Sequence, residues 1–144
     1  MPTYRAGQKL VLDTHVWVWL LEGTTSLKPA IRRRIEASAR EGGLLVSAIS
    51  VWEVAMLESK GRLTFDQDCN AWVTAALSVP GISLVPLAPE IAVASTRLPA
   101  DFQGDPADHI IVATARAHGH TLVTADGAIL SYAKSGNLSV LAAR

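Results

Sequence analysis

Residues Gly104–Gly119 read GDPADHIIVATARAHG, and the rest of the chain is organised around them. Asp105 suits a helix N-cap, Pro106 its first position, and Asp108 its first turn, where an acid meets the positive end of the helix dipole. Ile110-Ile111-Val112-Ala113 then runs apolar into Ala115 and Ala117, and Gly119 supplies a stop. The residues that follow, Thr121-Leu122-Val123-Thr124, form a short apolar run of strand type, closed by Asp126. Two carboxylates therefore open a buried helix and a third follows the next strand. As a helix start the stretch needs no other purpose. As a cluster it is costly, because acids beside a core repel one another unless something positive sits among them.

Working outward, the same arrangement recurs. Leu10-Val11-Leu12 reads as a strand that delivers Asp13 at its carboxyl end. A helix over Val16–Leu21 follows, carrying Trp17 and Trp19 and capped by Asp13 or Thr14. Pro29–Glu41 is a second helix, with Ile31, Ile35 and Ala39 at helical spacing. Its Arg32-Arg33-Arg34 and Arg40 make either a solvated face or a phosphate-binding one. Leu44-Leu45-Val46 is a second strand. In the helix over Ser50–Lys60, Ser50-Val51-Trp52-Glu53 matches a capping box with Glu53 in the first turn. Asp66–Leu77 pairs with that helix as a hairpin about Gly61. Ile82–Val85 is a third strand, Pro89–Arg97 and Ala128–Ala133 are helices, and Leu138–Leu141 is a last strand.

Short strands, apolar throughout and alternating with helices, predict a parallel sheet covered on both faces. The expected fold is an α/β, three-layer α/β/α sandwich with a parallel sheet of about five short strands, formed by residues 1–144 as a single domain. In such sheets, sites lie beyond the carboxyl ends of the strands.

Composition narrows the function. Of 144 residues 49% are apolar and 18% charged, which fits a folded chain with a sizeable core. Lys plus Arg equals Asp plus Glu at 13 each, so no global basic field advertises nucleic-acid binding, although a local patch is compatible with this balance. One cysteine, Cys69, excludes an internal disulfide and a Cys-rich metal site, and fits a reducing cytoplasm. No apolar run approaches the length of a membrane span, and Met1–Lys9 lacks the apolar centre of a secretion signal.

The acids now form a constellation. Asp13 follows the first strand, Glu53 opens the helix after the second, Asp108 opens the helix before the fourth, and Asp126 follows the fourth. Converging on one cleft they need a counter-ion, and carboxylate oxygens suit hard divalent metals. His15, His109, His118 and His120 form no zinc set with thiols, and GxSxG, GxGxxG and P-loop motifs are absent. A carboxylate metal site suits a substrate that brings its own anionic oxygens, above all a phosphoester.

Four blocks carry a family resemblance: VLDTHVW (11–17), SAISVWEV (47–54), GDPADHIIVATA (104–115) and LVTAD (122–126). Together they resemble the motifs of PIN domains, most closely those of VapC-like toxins of type II toxin–antitoxin modules. The resemblance spans nearly the whole chain. It implies a PIN-like sandwich and an endoribonuclease dependent on Mg2+ or Mn2+. It places Asp13, Glu53, Asp108 and Asp126 as the acidic metal-binding quartet, with Asp13 and Asp108 the primary ligands and Asp105 an auxiliary acid or cap. Thr14 and Thr124 would orient the quartet through their hydroxyls. It further implies a homodimer and a cognate antitoxin protein, with no membrane association. One position departs from the pattern: His109 stands where relatives often carry Arg, so a phosphate contact there would require a protonated ring. Two other classes compete. A phosphomonoesterase or phospho-acceptor protein also uses an Asp after its first strand, but the dehalogenase-type second Asp is replaced by His15. In a non-catalytic binding module the acids would serve only as caps.

Overall fold

A computed structural model describes residues 8–144; most of the Met1–Lys9 stretch lies outside the described residues. Strand β1 (Leu10–Leu12) leads to helices α1 (Thr14–Glu22) and α2 (Pro29–Arg40). Strand β2 (Leu44–Ser47) leads to α3 (Ala48–Ser59) and α4 (Cys69–Leu77), and β3 (Ile82–Val85) to α5 (Pro89–Ser95) and α6 (Pro106–Ala117). Strand β4 (Thr121–Thr124), helix α7 (Gly127–Ala133) and β5 (Ser139–Ala142) complete the order. The strands form one sheet, β3-β2-β1-β4-β5, and every neighbouring pair is parallel.

That order positions the site. From β1 the chain builds outward through β2 to β3, then returns to the other side of β1 for β4 and β5. The direction of winding thus reverses between β1 and β4. There the connections leave in opposite directions and open a crevice at the carboxyl edge. Asp13 follows β1 and Asp126 follows β4, so the reversal brings them to the same crevice.

The apolar strands bury both faces. Leu10, Leu12, Leu44, Val46, Val123 and Leu141 pack with Val16 and Trp17 of α1, Ile31 and Ile35 of α2, and Trp72 of α4. Val11, Leu45, Leu122 and Val140 point the other way, onto Ile111, Val112 and Ala115 of α6 and Ile129 and Tyr132 of α7. The period-two alternation therefore feeds two cores, one on each side of the sheet, giving the expected three layers. Complete burial of side chains such as Leu12, Leu122 and Ile111 contributes about 1.5–3 kcal/mol each.

Three sequence expectations are corrected. Helix α3 begins at Ala48, with Ser47 as its N-cap accepting the Ile49 N–H at 3.2 Å. Strand β2 runs directly into the helix, so the earlier of the two serines caps it. Ser50 and Glu53 consequently lie inside the helix, and the Ser50–Glu53 capping box does not form. Helix α4 starts at Cys69, later than Asp66, because Asp68 accepts the Asn70 N–H at 3.0 Å and takes the N-cap. The arginines of α2 are not purely a solvated or a phosphate-binding face. Arg32 donates to the Thr24 carbonyl at 3.1 Å and reaches Trp19 and Leu20, tying down the carboxyl end of α1.

Candidate active site

Asp13 is the most enclosed of the acids. Its backbone N–H continues the ladder to the Val123 carbonyl at 3.0 Å, while its side chain caps α1 by accepting the Thr14 N–H at 2.8 Å. Its other carboxylate oxygen accepts the Thr124 hydroxyl at 2.7 Å. Thr124, fully buried, in turn accepts the Asp126 N–H at 3.0 Å. One hydroxyl on β4 therefore fixes the acid of the neighbouring strand and the backbone of the acid on its own. Asp126 caps α7 by accepting the Ile129 N–H at 2.9 Å.

Thr14 does the same for Glu53. Its Oγ1 is bonded to Glu53 Oε1 at 2.5 Å and to the buried Ser50 Oγ at 2.8 Å. With α3 starting at Ala48, Ser50 and Glu53 are three residues apart on one helix face, and that face meets α1. Across the crevice Asp105 caps α6 by accepting the Asp108 N–H at 3.0 Å. Gly104 makes the close approach possible, since a Cβ there would run into the Phe102 ring and come within 3.0 Å of the Asp108 Cβ.

Asp13, Glu53, Asp105, Asp108 and Asp126 line a single cavity of about 330 Å3. Their protonation reflects the crowding. Burial raises the Asp13 carboxyl above its ordinary value, against the opposing bonds from Thr124 and Thr14. Burial also raises Glu53, countered by the Thr14 hydroxyl and reinforced by Asp13 and Asp105. Asp108 is pushed up to about 7, first by burial and then by repulsion from Asp105, Asp13, Asp126 and Glu53. Such mutually perturbed acids in a cleft mark a functional-site candidate. A larger cavity of about 670 Å3 lies beyond the amino ends of β4 and β5, lined by His120, Leu130 and Lys134 among others, but it contains no carboxylate.

The five carboxylates offer oxygen donors, which suit Mg2+ or Mn2+. Among the described residues, no three Asp, Glu, His or Cys side chains stand gathered as a ready-made ligand cluster. Asp13, Glu53, Asp105 and Asp126 are instead held by the threonines and caps just described. The fit to a divalent cation is thus one of donor type, shared cavity and shared charge.

All four quartet acids and Asp105 reach the cavity, and Thr14 and Thr124 bond Asp13, Glu53 and Asp126 directly. His109 does not line it. Its ring packs on Phe102 with centroids 4.7 Å apart, and Nδ1 lies 2.8 Å from the Asp105 carbonyl. The sequence reading missed His15, Trp19 and Arg144, which do line the cavity. For Arg144 a signal existed: it follows β5 at the same carboxyl edge as Asp13 and Asp126.

Residues 10–135 match the PIN domain family model. This chain belongs to the PIN-domain family. It is 33% identical over 123 residues to Ribonuclease VapC22 of Mycobacterium tuberculosis, a match covering 85% of this chain and 91% of that protein. The PIN fold is shared with a chain of the DNA-bound VapBC structure from Salmonella typhimurium (TM-score 0.68, 15% identity, 95% of this chain and 99% of that one). It is shared likewise with a chain of promoter-bound VapBC2 from Rickettsia felis (TM-score 0.66, 16% identity, 92% and 97%). At those identities the likeness is one of fold.

Proposed function

We propose that this PIN-domain chain is a metal-dependent endoribonuclease that cleaves RNA phosphodiesters and serves as the toxin of a toxin–antitoxin pair. The observation that carries this reading is the convergence of Asp13, Glu53, Asp108 and Asp126 on one cavity at the strand-order reversal. The 33% identity to a protein named Ribonuclease VapC22 supports RNA as the substrate.

Asp13 and Asp108 would be the primary ligands of Mg2+ or Mn2+, with Glu53 and Asp126 completing the acidic set. When bound, such an ion polarises a phosphoryl oxygen and lowers the pKa of a water. The chain supplies the rest. Thr124 and the Thr14 N–H keep Asp13 in one rotamer, and Thr14 with Ser50 does so for Glu53. Asp108, pushed up to about 7, exchanges its proton near neutral pH and would give that proton up on holding a cation.

Partner proteins follow from the surface. Trp52, Leu84, Leu87 and Val93 are large apolar side chains exposed by 44 to 57%. We assign this apolar surface to contacts with a second copy and with a small antitoxin. No helix among the described residues is long and apolar enough to cross a membrane, and the single cysteine suits a reducing cytoplasm.

The test compares RNA with a phosphomonoester, each with and without Mg2+ after chelation. Metal-dependent cutting of RNA alone is expected, lost in Asp13→Asn while the variant stays folded. Cleavage by Asp13→Asn at the parent rate would end the assignment of the acids. Light scattering and co-expression with the adjacent reading frame test the partners, and a strict monomer harmless to cells would remove the toxin reading while sparing the nuclease one.

A further inference from the structure

One wall of the acid cavity is left unused by the quartet. His15 and Trp19, one turn apart on α1, line it together with Arg144. Arg144 is the one Lys or Arg among the described residues of the lining, facing five carboxylates. Its guanidinium carbon lies over the Trp19 ring, 5.1 Å from the centroid. The display is anchored from below. Ala143 donates its N–H to Thr124 at 2.8 Å and accepts the Lys28 N–H at 2.9 Å, so the backbone is held up to the residue before Arg144. Trp19 is half-buried and packed against the core, which makes it a fixed platform.

We propose that Arg144 binds the backbone phosphate next to the scissile bond, and that Trp19 is a positioning residue that holds the guanidinium at the mouth of the acid cavity. This rests on the ribonuclease reading above. An RNA strand entering a cavity of five acids is repelled everywhere except where a fixed positive charge meets it. Guanidinium stacks through its flat face and donates through its edges, so contact with Trp19 leaves its N–H groups available for phosphate oxygens. His109, which packs on Phe102 outside the lining, does not supply this charge.

The experiment measures binding of a fluorescein-labelled single-stranded RNA by the full chain in an Asp108→Asn background, over a range of salt, and steady-state cleavage in the parent background. Arg144→Gln is expected to weaken binding by roughly tenfold and to reduce the slope of log affinity against log salt by about 0.7, the share of one phosphate contact on a single strand. In cleavage its effect falls mainly on KM. Arg144→Lys keeps the charge and recovers the slope but not the full affinity, since the planar fork is lost. Trp19→Leu weakens binding on its own and adds nothing in combination with Arg144→Gln. Unchanged affinity and slope in Arg144→Gln, with the parent binding RNA normally, would overturn the proposal. So would additive losses in the double variant of Trp19 and Arg144. A parent chain that neither binds nor cuts RNA would instead overturn the ribonuclease reading beneath it. Arg144 is exposed, so its variants test the site even if Trp19→Leu proves unstable.

Discussion

Replacing Asp108 by Asn should make the metal-free protein more stable at pH 8, and by only about a third as much at pH 5. Its carboxyl titrates at about 7 in the fold against an ordinary value of 3.8, so the folded chain holds this proton more tightly than the unfolded one. Where the folded state binds more protons, stability falls as pH rises. The contribution of Asp108 is therefore favourable below pH 4 and is lost between about pH 4 and 7. Three pKa units in a fully buried site would correspond to about 4 kcal/mol. Asp108 is only half-buried, and solvent screening reduces this to roughly 1–2 kcal/mol. Asn keeps the shape and removes the charge, so at pH 8 it recovers that amount, or roughly 3–8 °C in Tm for a chain of this size. At pH 5 the folded Asp108 is protonated while the unfolded one is already ionised, so about a third of that gain should remain. Thermal melts in chelator at both pH values decide it. An equal Tm gain at pH 5 and pH 8, or a loss at pH 8, would refute the electrostatic account of the cavity.

Three further outcomes follow from the same site. Mg2+ or Mn2+ should raise the Tm of the parent, by about 2.7 kcal/mol of stability at a hundred times the dissociation constant, with affinity increasing from pH 6 to 8 as the Asp108 proton is displaced; melts that coincide across millimolar metal would count against a cation site. Thr124→Val should cost about 1–3 kcal/mol and depress cleavage, because the Asp13 carboxylate and the Asp126 N–H both lose a buried partner; chemical denaturation beside a cleavage assay reads both, and unchanged stability would show that the hydroxyl is dispensable. His109→Arg should retain or increase cleavage, since it adds a permanent charge beside the acids and the imidazole does not line the cavity; a folded variant that has lost most of its activity would show that the ring itself is required.

What was legible in the sequence was whatever depends on near neighbours. Leu10–Leu12 and Thr121–Thr124 announce buried strands by their unbroken apolar runs, and a parallel sheet delivers the residues after them to one edge. Asp13 and Asp126 could thus be assigned to a common cleft before any pairing was known. Asp105 and Asp108 were legible for a similarly local reason: Pro106 and the apolar residues after it fix where α6 begins. Glu53 was assigned to the site with the wrong local reason. Two serines compete to cap α3, and the choice of Ser47 depends on β2 running without a loop into the helix. That choice turns Ser50 and Glu53 toward Thr14, a contact between residues 36 and 39 positions apart.

Trp19 and Arg144 were missed for a different reason, and it bears on how the cavity acquires its positive charge. A tryptophan in an apolar helix reads as core, which holds for Trp17 and Trp72 but not for Trp19, whose ring is half-buried, nor for Trp52, which is exposed. Nothing local to Arg144 distinguishes it from an ordinary solvated arginine. Its meaning comes from sheet order. Because β5 pairs with β4, the residues after it emerge beside Asp126. Because Ala143 is bonded both to Thr124 of β4 and to Lys28 at the start of α2, the next side chain is delivered toward Trp19 on α1. The acids of this site are contributed by the residues after β1 and β4 and by helices α3 and α6. The cation comes from the strand that completes the sheet. In a fold wound this way, the charge we assign to phosphate binding follows the last strand of the sheet, apart from the elements that carry the carboxylates.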